Sequence, residues 1–134
     1  MPRNNKKSGT SFEQELAEIL YNNGFWSHCI APAPDGSQPF DVVAVKGNCA
    51  FVFECKVCAK GKFSLDRVED NQKTSVCIYG SCQNSNAFFA FKNEEDGNIY
   101  ITRSTFLFSD LEYSRTVCVC KYNPIEEWLY ARKG

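Results

Sequence analysis

Three charged residues stand in a segment that otherwise resembles a buried hairpin. Residues 39–57 read PFDVVAVKGNCAFVFECKV, in which two apolar runs flank a glycine-containing turn. Asp41 lies near the start of the first run, and Glu54 and Lys56 lie near the end of the second. A charged side chain at a half-buried position costs free energy unless it is paired or binds a metal. The charges therefore indicate a site where chemistry could take place.

The chemistry that this trio allows is metal-assisted hydrolysis of a phosphodiester. A tight hairpin turn brings Asp41 and Glu54 close together, and Lys56 shares a strand face with Glu54 because the two are two residues apart. Two neighbouring carboxylates repel each other, and a hard divalent cation relieves this repulsion by accepting oxygens from both. Mg²⁺ polarises a phosphoryl oxygen and lowers the pKa of the attacking water, and a lysine stabilises the charge that develops.

Simpler explanations exist for the same residues. Asp41 could be an ordinary turn or strand-edge residue. Glu54 and Lys56 could form a surface ion pair, which contributes only about 0–1 kcal/mol. The residue types alone leave these alternatives open.

The elements that would position the trio follow the order α-β-β-β-α-β. A helix begins at Thr10, which forms a capping-box pattern with Glu13, and it ends near residue 23. Further elements are strands at 25–32, 40–46, 49–57, 87–91, 98–103 and 116–120, a helix from Ser64 to Gly80, and a C-terminal helix at 123–133. The alternation predicts an α/β domain with a mixed central sheet flanked by helices.

The spacing of the charged residues resembles a known motif. Asp41, a gap of twelve residues and then Glu54-Cys55-Lys56 are similar to the motif of the PD-(D/E)xK nuclease superfamily, with Phe40 in place of the usual proline. The segment SFEQELAEIL carries Glu13 where Holliday-junction resolvases of the Hjc and RecU type have a further acid of the metal site. The loop APAPDGSQPFD and the segment FSLDRVEDNQ are also similar to segments of these enzymes. The resemblance covers residues 11 to about 76 and implies a restriction-endonuclease-like αβββαβ core.

The resemblance also implies roles for individual residues. Asp41 and Glu54 would bind the metal with the Cys55 carbonyl, and Glu13 would bind it directly or through water. Three further residues have implied roles: Lys56 acting on the nucleophilic water or the transition state, Gln72 supporting the site, and Ser37 contacting a backbone phosphate. Glu13 as a helix cap and Gln72 as a solvated residue remain the alternatives.

The distribution of charge favours a polyanionic partner, although the net charge is only −1. Basic residues are concentrated in residues 1–10, which we expect to form a flexible arm, and in one central segment. The candidate DNA-binding residues in addition to Ser37 are Arg3, Lys6, Lys7, Lys60, Lys62, Arg67 and Lys73. Ordinary solvated faces are the alternative. Binding through such residues weakens steeply as salt rises.

Eight cysteines are many for 134 residues, yet the chain lacks the composition of a small secreted scaffold. Cys55 and Cys58 have the spacing of half a zinc site, but no second half follows. We therefore expect reduced and mostly buried thiols, with structural zinc and disulfide chemistry as alternatives. His28 is expected to be structural, and Trp26 and Trp128 are expected in the core or an interface.

Together these features predict one nuclease domain at residues 11–134. Its expected function is Mg²⁺-dependent cleavage of four-way DNA junctions by a homodimer, with Mn²⁺ as a substitute metal. The alternatives are a PD-(D/E)xK nuclease of repair or restriction type, and a non-catalytic DNA-binding module that is zinc-stabilised or nuclease-like. No apolar run is long enough to span a membrane, so we expect a cytoplasmic protein, of bacterial or viral source.

Overall fold

The computed structural model describes residues 5–35 and 38–133, and the side chains from residue 11 onward. The helices are α1 (Asn5–Asn22), α2 (Asp70–Ser81), α3 (Ser104–Ser114) and α4 (Ile125–Tyr130). The strands are β1 (Trp26–Cys29), β2 (Val42–Lys46), β3 (Cys49–Cys58), β4 (Lys62–Ser64), β5 (Ala87–Asn93), β6 (Ile99–Arg103), β7 (Thr116–Cys118) and β8 (Asn123–Pro124). Single 3₁₀ turns occupy Leu65–Arg67 and Val119–Lys121. None of the described helices is both long and apolar enough to cross a membrane.

Six strands form a central sheet in the order β1-β2-β3-β5-β6-β8. The β3–β5 pair is parallel and the other pairs are antiparallel, so the sheet is mixed. The parallel pair needs a crossover connection, which contains α2. A separate two-stranded sheet pairs β4 with β7. The predicted α/β class, with a mixed sheet flanked by helices, is confirmed.

The hairpin of β2 and β3 is formed as the sequence predicts. Gly47 occupies the two-residue turn with a φ of 59°, a left-handed conformation that glycine adopts without steric cost. The register places Val42 opposite Phe53 and Lys46 opposite Cys49. This register decides which side chains of the two strands meet.

The sheet is covered on both faces. On one face, α1 and α4 pack over a cluster that includes Leu16, Leu20, Phe53 and Trp128. On the other face, α3 and the small sheet bury a cluster that includes Phe89 and Leu107, and α2 covers a smaller group around Val76. The strand β5 is therefore buried from both sides, as its continuous apolar run predicts.

Several local predictions were wrong. Helix α1 begins at Asn5, so residues 5–10 are helical rather than part of an arm, and Thr10 is not its N-cap. Helix α3 has no counterpart in the sequence analysis. The cysteines are all unpaired, but only Cys55 and Cys58 are buried, so the thiols are mostly not in the core.

Candidate active site

Asp41 and Glu54 face each other across the open end of the β2–β3 hairpin. The Asp41 N–H donates to the Phe53 carbonyl at 2.9 Å, and Phe53 is also the ladder partner of Val42, so Asp41 and Val42 both lie against Phe53 at this end of β2. The Asp41 carboxyl reaches the carboxyl of Glu54, the next residue of β3, and forms a hydrogen bond with it. Both carboxyls are buried, with exposures of 9% and 6%. The strands thus hold two acidic groups together in a poorly solvated place.

The backbone and a neighbouring amide fix the Asp41 carboxylate. Its Oδ2 accepts a hydrogen bond from the Cys55 N–H at 2.8 Å, and its Oδ1 accepts one from the Gln38 side chain. In a strand, the N–H and C=O of one residue point toward the same neighbouring strand. The Cys55 carbonyl therefore leaves β3 on the side of Asp41, where a ligand of the predicted metal would have to point.

Gln72 connects the Glu54 carboxyl to the start of α2. Its Nε2 donates to Glu54 Oε2 at 2.5 Å, and its Oε1 accepts from the Glu69 N–H at 3.0 Å. This second bond is half of a capping box, in which the third helical residue satisfies a free N–H at the helix start. Gln72 is only 7% exposed, so the alternative of a solvated helix residue is wrong.

Glu13 completes what we call the acid cluster, consisting of Glu13, Asp41 and Glu54. Glu13 lies on α1, and its side chain is half-buried. Phe12 and Leu16 anchor this helix in the core. The Glu13 carboxyl and that of Glu54 each form a hydrogen bond with Asp41. Since Glu13 lies within α1 rather than at its N-terminus, the alternative of a helix-capping role is wrong.

The surroundings of the acid cluster disfavour the negative charge of its carboxyls. Burial, together with the Asp41 charge, raises the pKa of Glu13 to about 7 and that of Glu54 to about 9. Burial also raises the pKa of Asp41, although the Cys55 N–H and the neighbouring carboxyls oppose that shift. Raised carboxyl pKa values mean that the folded protein disfavours these charges, which a bound cation would stabilise.

Lys56 lies beside the acid cluster. It emerges on the Glu54 face of β3, and its charge lowers the pKa values of both Asp41 and Glu54. Its Nζ donates to the Arg67 carbonyl at 3.0 Å and is only partly covered. One ammonium therefore offsets part of the negative charge and stays within reach of a bound phosphate.

The donor set fits a Mg²⁺-type ion. Asp41 and Glu54 supply hard carboxylate oxygens, which is the chemistry that Mg²⁺ prefers, and this ion usually takes only one or two carboxylates and keeps several waters. Among the residues that the structure describes, no three His, Cys, Asp or Glu side chains converge into a complete protein cage for a metal. An all-protein zinc site is therefore not formed there, whereas a two-carboxylate site open to substrate is compatible with the geometry.

Comparison with known proteins identifies the family. The family model for archaeal Holliday junction resolvases (Hjc) matches residues 4–119, which is most of the chain. The chain belongs to the Hjc family. This confirms the resemblance to the PD-(D/E)xK nuclease superfamily that the spacing of Asp41, Glu54 and Lys56 suggests.

Two known proteins are similar to this Hjc-family chain. The crossover junction endodeoxyribonuclease Hjc of Methanocaldococcus jannaschii is 37% identical over 71 residues, which is 53% of this chain and 50% of that protein. The match thus spans about half the length of that curated relative. The 1.6 Å structure of Hjc from Archaeoglobus fulgidus, a Holliday junction resolvase from an archaeal hyperthermophile, has 20% identity and a TM-score of 0.68, covering 90% of this chain and 99% of that one. The second likeness shows the fold. Both relatives are archaeal, which does not support the bacterial or viral source expected from the sequence.

The structure describes the side chains of only some of the predicted DNA-binding residues of this Hjc-family chain. Lys60, Lys62, Arg67 and Lys73 are all exposed, from the end of β3 to the first turns of α2. The Arg67 guanidinium stacks over the Phe63 ring, 5.3 Å from its centre. Arg3 and Ser37 lie outside the described residues, and Lys6 and Lys7 lie on α1 with side chains outside the description.

Sequence reasoning missed two contributors to the site. Gln38 donates to Asp41 from the loop before it, and the Glu69 N–H holds the Gln72 amide. Gln38 lies three residues before Asp41, so a polar amide close to the motif was the available signal. The Glu69–Gln72 spacing matches a capping box, which could have predicted the start of α2.

Proposed function

We propose that this chain is a metal-dependent DNA endonuclease that cuts four-way junctions. The observation that carries the proposal is the pair of buried, neighbouring carboxyls of Asp41 and Glu54 at the end of the β2–β3 hairpin, with the charge of Lys56 acting on both. A protein that needed these residues only for folding would gain nothing from burying two acids side by side, because their mutual repulsion is destabilising. Membership of the Hjc family supports the same function.

The chain's own residues divide the work of the reaction. Asp41 and Glu54 would hold the ion together with the Cys55 carbonyl, and Glu13 would hold it directly or through a water. The bound Mg²⁺, or Mn²⁺ in its place, supplies Lewis-acid polarisation of the phosphoryl oxygen and a water of lowered pKa. Lys56 orients the attacking water or neutralises charge on the phosphate, and Gln72 keeps the Glu54 carboxylate pointing into the site.

Substrate binding would rest on the exposed cations near the site. Lys60, Lys62, Arg67 and Lys73 surround the chain that leads from β3 into α2, so phosphates held there lie next to the catalytic strand. The residues Arg3, Lys6, Lys7 and Ser37 are proposed to add backbone contacts. Each phosphate contact of this kind should add to the salt dependence of binding.

A four-way junction needs two symmetric cuts, and we therefore propose a C2 homodimer that presents two sites to one junction. Light scattering on the purified chain tests this directly: a mass of about twice 15.2 kDa is expected, and a monomer at the concentrations that cleave junctions would contradict it. The cytoplasmic location inferred from the sequence stays a prediction.

The decisive experiment compares four DNA substrates of matched sequence: a four-way junction, a flap, a single strand and a linear duplex. Each is incubated with the protein in Mg²⁺, Mn²⁺ and EDTA. We expect metal-dependent cleavage that is fastest on the junction. Equal rates on linear duplex would contradict junction selectivity and favour a repair- or restriction-type nuclease. Binding without cleavage in any metal would favour a non-catalytic module.

A further inference from the structure

A second concave site lies away from the acid cluster. It is a cleft of about 410 Å³ between α3, α4 and the β6 edge of the sheet, and we call it the arginine cleft because Arg103 and Arg132 line it. Its floor includes Phe88, which stacks on Phe53 with ring centres 5.8 Å apart. Because Phe53 and Glu54 are successive strand residues, their side chains point to opposite faces. Phe88 is therefore on the face opposite to Glu54, whereas the cleft as a whole lies at the β6 edge, between α3 on one face and α4 on the other.

The edge of the sheet explains why the cleft exists. Strand β8 contains only Asn123–Pro124, and it pairs with Tyr100 and Ile101 of β6. The last residues of β6 therefore extend beyond β8, and Thr102 and Arg103 line the opening. The cleft has a volume typical of small-molecule sites, which are about 300–1,000 Å³.

The two arginines line this space together. Among the side chains that the structure describes, residues 11–35 and 38–133, neither Arg103 nor Arg132 forms a salt bridge. The one acid in the lining, Asp110, is engaged with Lys121 at 3.2 Å and with the Tyr122 hydroxyl at 2.8 Å. Burial and the charge of Arg103 both lower the pKa of Arg132. Two guanidinium groups that line one cleft form a site for an anion.

The walls of the cleft are aromatic. The Arg132 guanidinium stacks over the Trp128 ring at 4.0 Å, and the Arg103 guanidinium lies 5.0 Å from the centre of Phe88. Phe106 is 62% exposed and lines the cleft from α3. The Trp128 indole N–H is buried and has no acceptor among the described residues.

We propose that the arginine cleft binds a nucleoside phosphate. The phosphate would be held by Arg103 and Arg132, and the base would stack on the aromatic wall that Phe106 forms. Such a ligand has two possible sources, a free mononucleotide or the 5′-phosphorylated end of a DNA strand. The proposal does not depend on the nuclease function, because binding requires neither the acid cluster nor a metal.

The test uses the fluorescence of Trp128. The chain has two tryptophans, so Trp26→Phe, which replaces a residue 60% exposed on β1, leaves Trp128 as the only reporter. Deoxyadenosine monophosphate, inorganic phosphate and deoxyadenosine are titrated in EDTA. We expect saturable changes with the nucleotide, a weaker affinity for inorganic phosphate and the weakest for the uncharged nucleoside. No saturable change with the nucleotide at about millimolar concentration would overturn the proposal.

Variants separate the two halves of the site. Arg103→Gln should weaken the binding of nucleotide and of inorganic phosphate by about tenfold or more, since hydrogen bonds to charged groups are the strong ones. Phe106→Ala, at an exposed position that folding tolerates, should weaken nucleotide binding but not phosphate binding. Arg115→Gln is the matched control, because Arg115 is exposed and pairs with Asp66 elsewhere. Equal affinities of the Arg103 and Arg115 variants would overturn the site.

Competition distinguishes the sources of the ligand. A single strand carrying a 5′-phosphate and the same strand with a 5′-hydroxyl are tested against bound mononucleotide. Stronger competition by the phosphorylated strand identifies a strand end as the ligand. Equal competition, with mononucleotide binding intact, identifies a free nucleotide, and either result supports the site.

Discussion

The acid cluster and the arginine cleft lie at separate places on one sheet, the first at the end of the β2–β3 hairpin and the second at the β6 edge, and they present the same physical problem with opposite sign. In the first, buried carboxyls crowd together with one lysine nearby, and in the second, two arginines face each other with the only acid already paired. Like charges that outnumber their partners destabilise a fold unless something from outside binds to them. The comparison indicates that each region is built for a ligand of opposite charge.

The two regions differ in how they are held. The acids are fixed by the register of adjacent strands, a backbone N–H and the Gln72 amide. The arginines are held by stacking on Trp128 and Phe88 and by carbonyls at the ends of elements, such as Trp128 O and Ser85 O. We infer that the acid cluster is the rigid site, as catalysis requires, and that the cleft is the more adaptable one.

The largest expected effect comes from removing one charge of the pair Asp41 and Glu54. Asp41→Asn or Glu54→Gln should lower junction cleavage by about a thousandfold or more, because the loss of a metal ligand forfeits several kcal/mol of transition-state stabilisation. The measurement is the single-turnover cleavage rate of a labelled junction in Mg²⁺. Junction binding in EDTA should remain largely intact, since it depends on the cationic surface.

Two control variants show whether the effect is specific to the acid cluster. Asp66→Asn and Glu18→Gln make the same chemical changes at exposed positions, and both should cleave close to the wild-type rate. If the Asp41 or Glu54 variant cleaves as fast as its control, the acid cluster is not the catalytic site.

The next effect concerns Lys56, whose charge acts on the acid cluster. Lys56→Met should lower kcat by about a hundredfold to a thousandfold, which is the cost of removing one group that stabilises developing charge. Lys56→Arg should recover part of the rate, because it restores the charge with a different geometry. Lys133→Met, at an exposed position near the C-terminus, is the control. Equal kcat values for Lys56→Met and Lys133→Met would show that Lys56 has no part in the reaction.

A smaller effect is expected from the amide that holds Glu54. Gln72→Leu removes the bond to Glu54 Oε2 and the bond from the Glu69 N–H. Residues that orient metal ligands typically affect metal affinity by about 10–100-fold, so the Mg²⁺ concentration for half-maximal cleavage should rise by about tenfold. Saturating Mg²⁺ should restore most of the rate, which a role in proton transfer would not allow. Gln14→Leu, on the exposed side of α1, is the control. An unchanged Mg²⁺ requirement in the Gln72 variant would contradict the positioning role.

The contrast between the two regions also explains what the sequence could predict. Asp41 and Glu54 lie on consecutive strands joined by a two-residue turn, so strand periodicity and the turn were enough to bring them together. The arginine cleft collects residues from β5, β6, α3 and α4, and no local pattern connects them. Helix α3 was missed because its C-cap is Arg115 in a left-handed conformation with φ of 61°, without the usual glycine as a stop signal.

Other errors have the same origin in tertiary context. Cys118 and Cys120 flank the buried Val119, and both thiols are exposed because the small sheet ends there in a 3₁₀ turn. The contact of Gln38 with Asp41 depends on the path of the loop before β2, which no propensity determines. Only the family resemblance connected Gln72 with Glu54, since helical spacing alone permitted a solvated residue; the structure shows Gln72 buried and bonded to Glu54.

The smallest expected effect is a pH dependence of stability that comes from the carboxyls of the acid cluster. The pKa values of Glu13 and Glu54 are raised from 4.5 to about 7 and about 9. Between about pH 4.5 and pH 9 the folded protein thus binds more protons than the unfolded chain, so the free energy of unfolding should fall as pH rises. Thermal unfolding followed by circular dichroism in EDTA measures the trend as a decreasing Tm.

Two comparisons assign that slope to the acid cluster. Saturating Mg²⁺ should raise the Tm most at high pH, because the ion binds the ionised carboxylates of the folded state. Glu54→Gln should make the slope in EDTA shallower, because an amide has no proton to lose, whereas the exposed control Glu18→Gln should keep the wild-type slope. A wild-type Tm that is constant or rises from pH 5 to pH 9 would contradict the charge strain in the acid cluster, and a slope unchanged in Glu54→Gln would assign the strain to another part of the molecule.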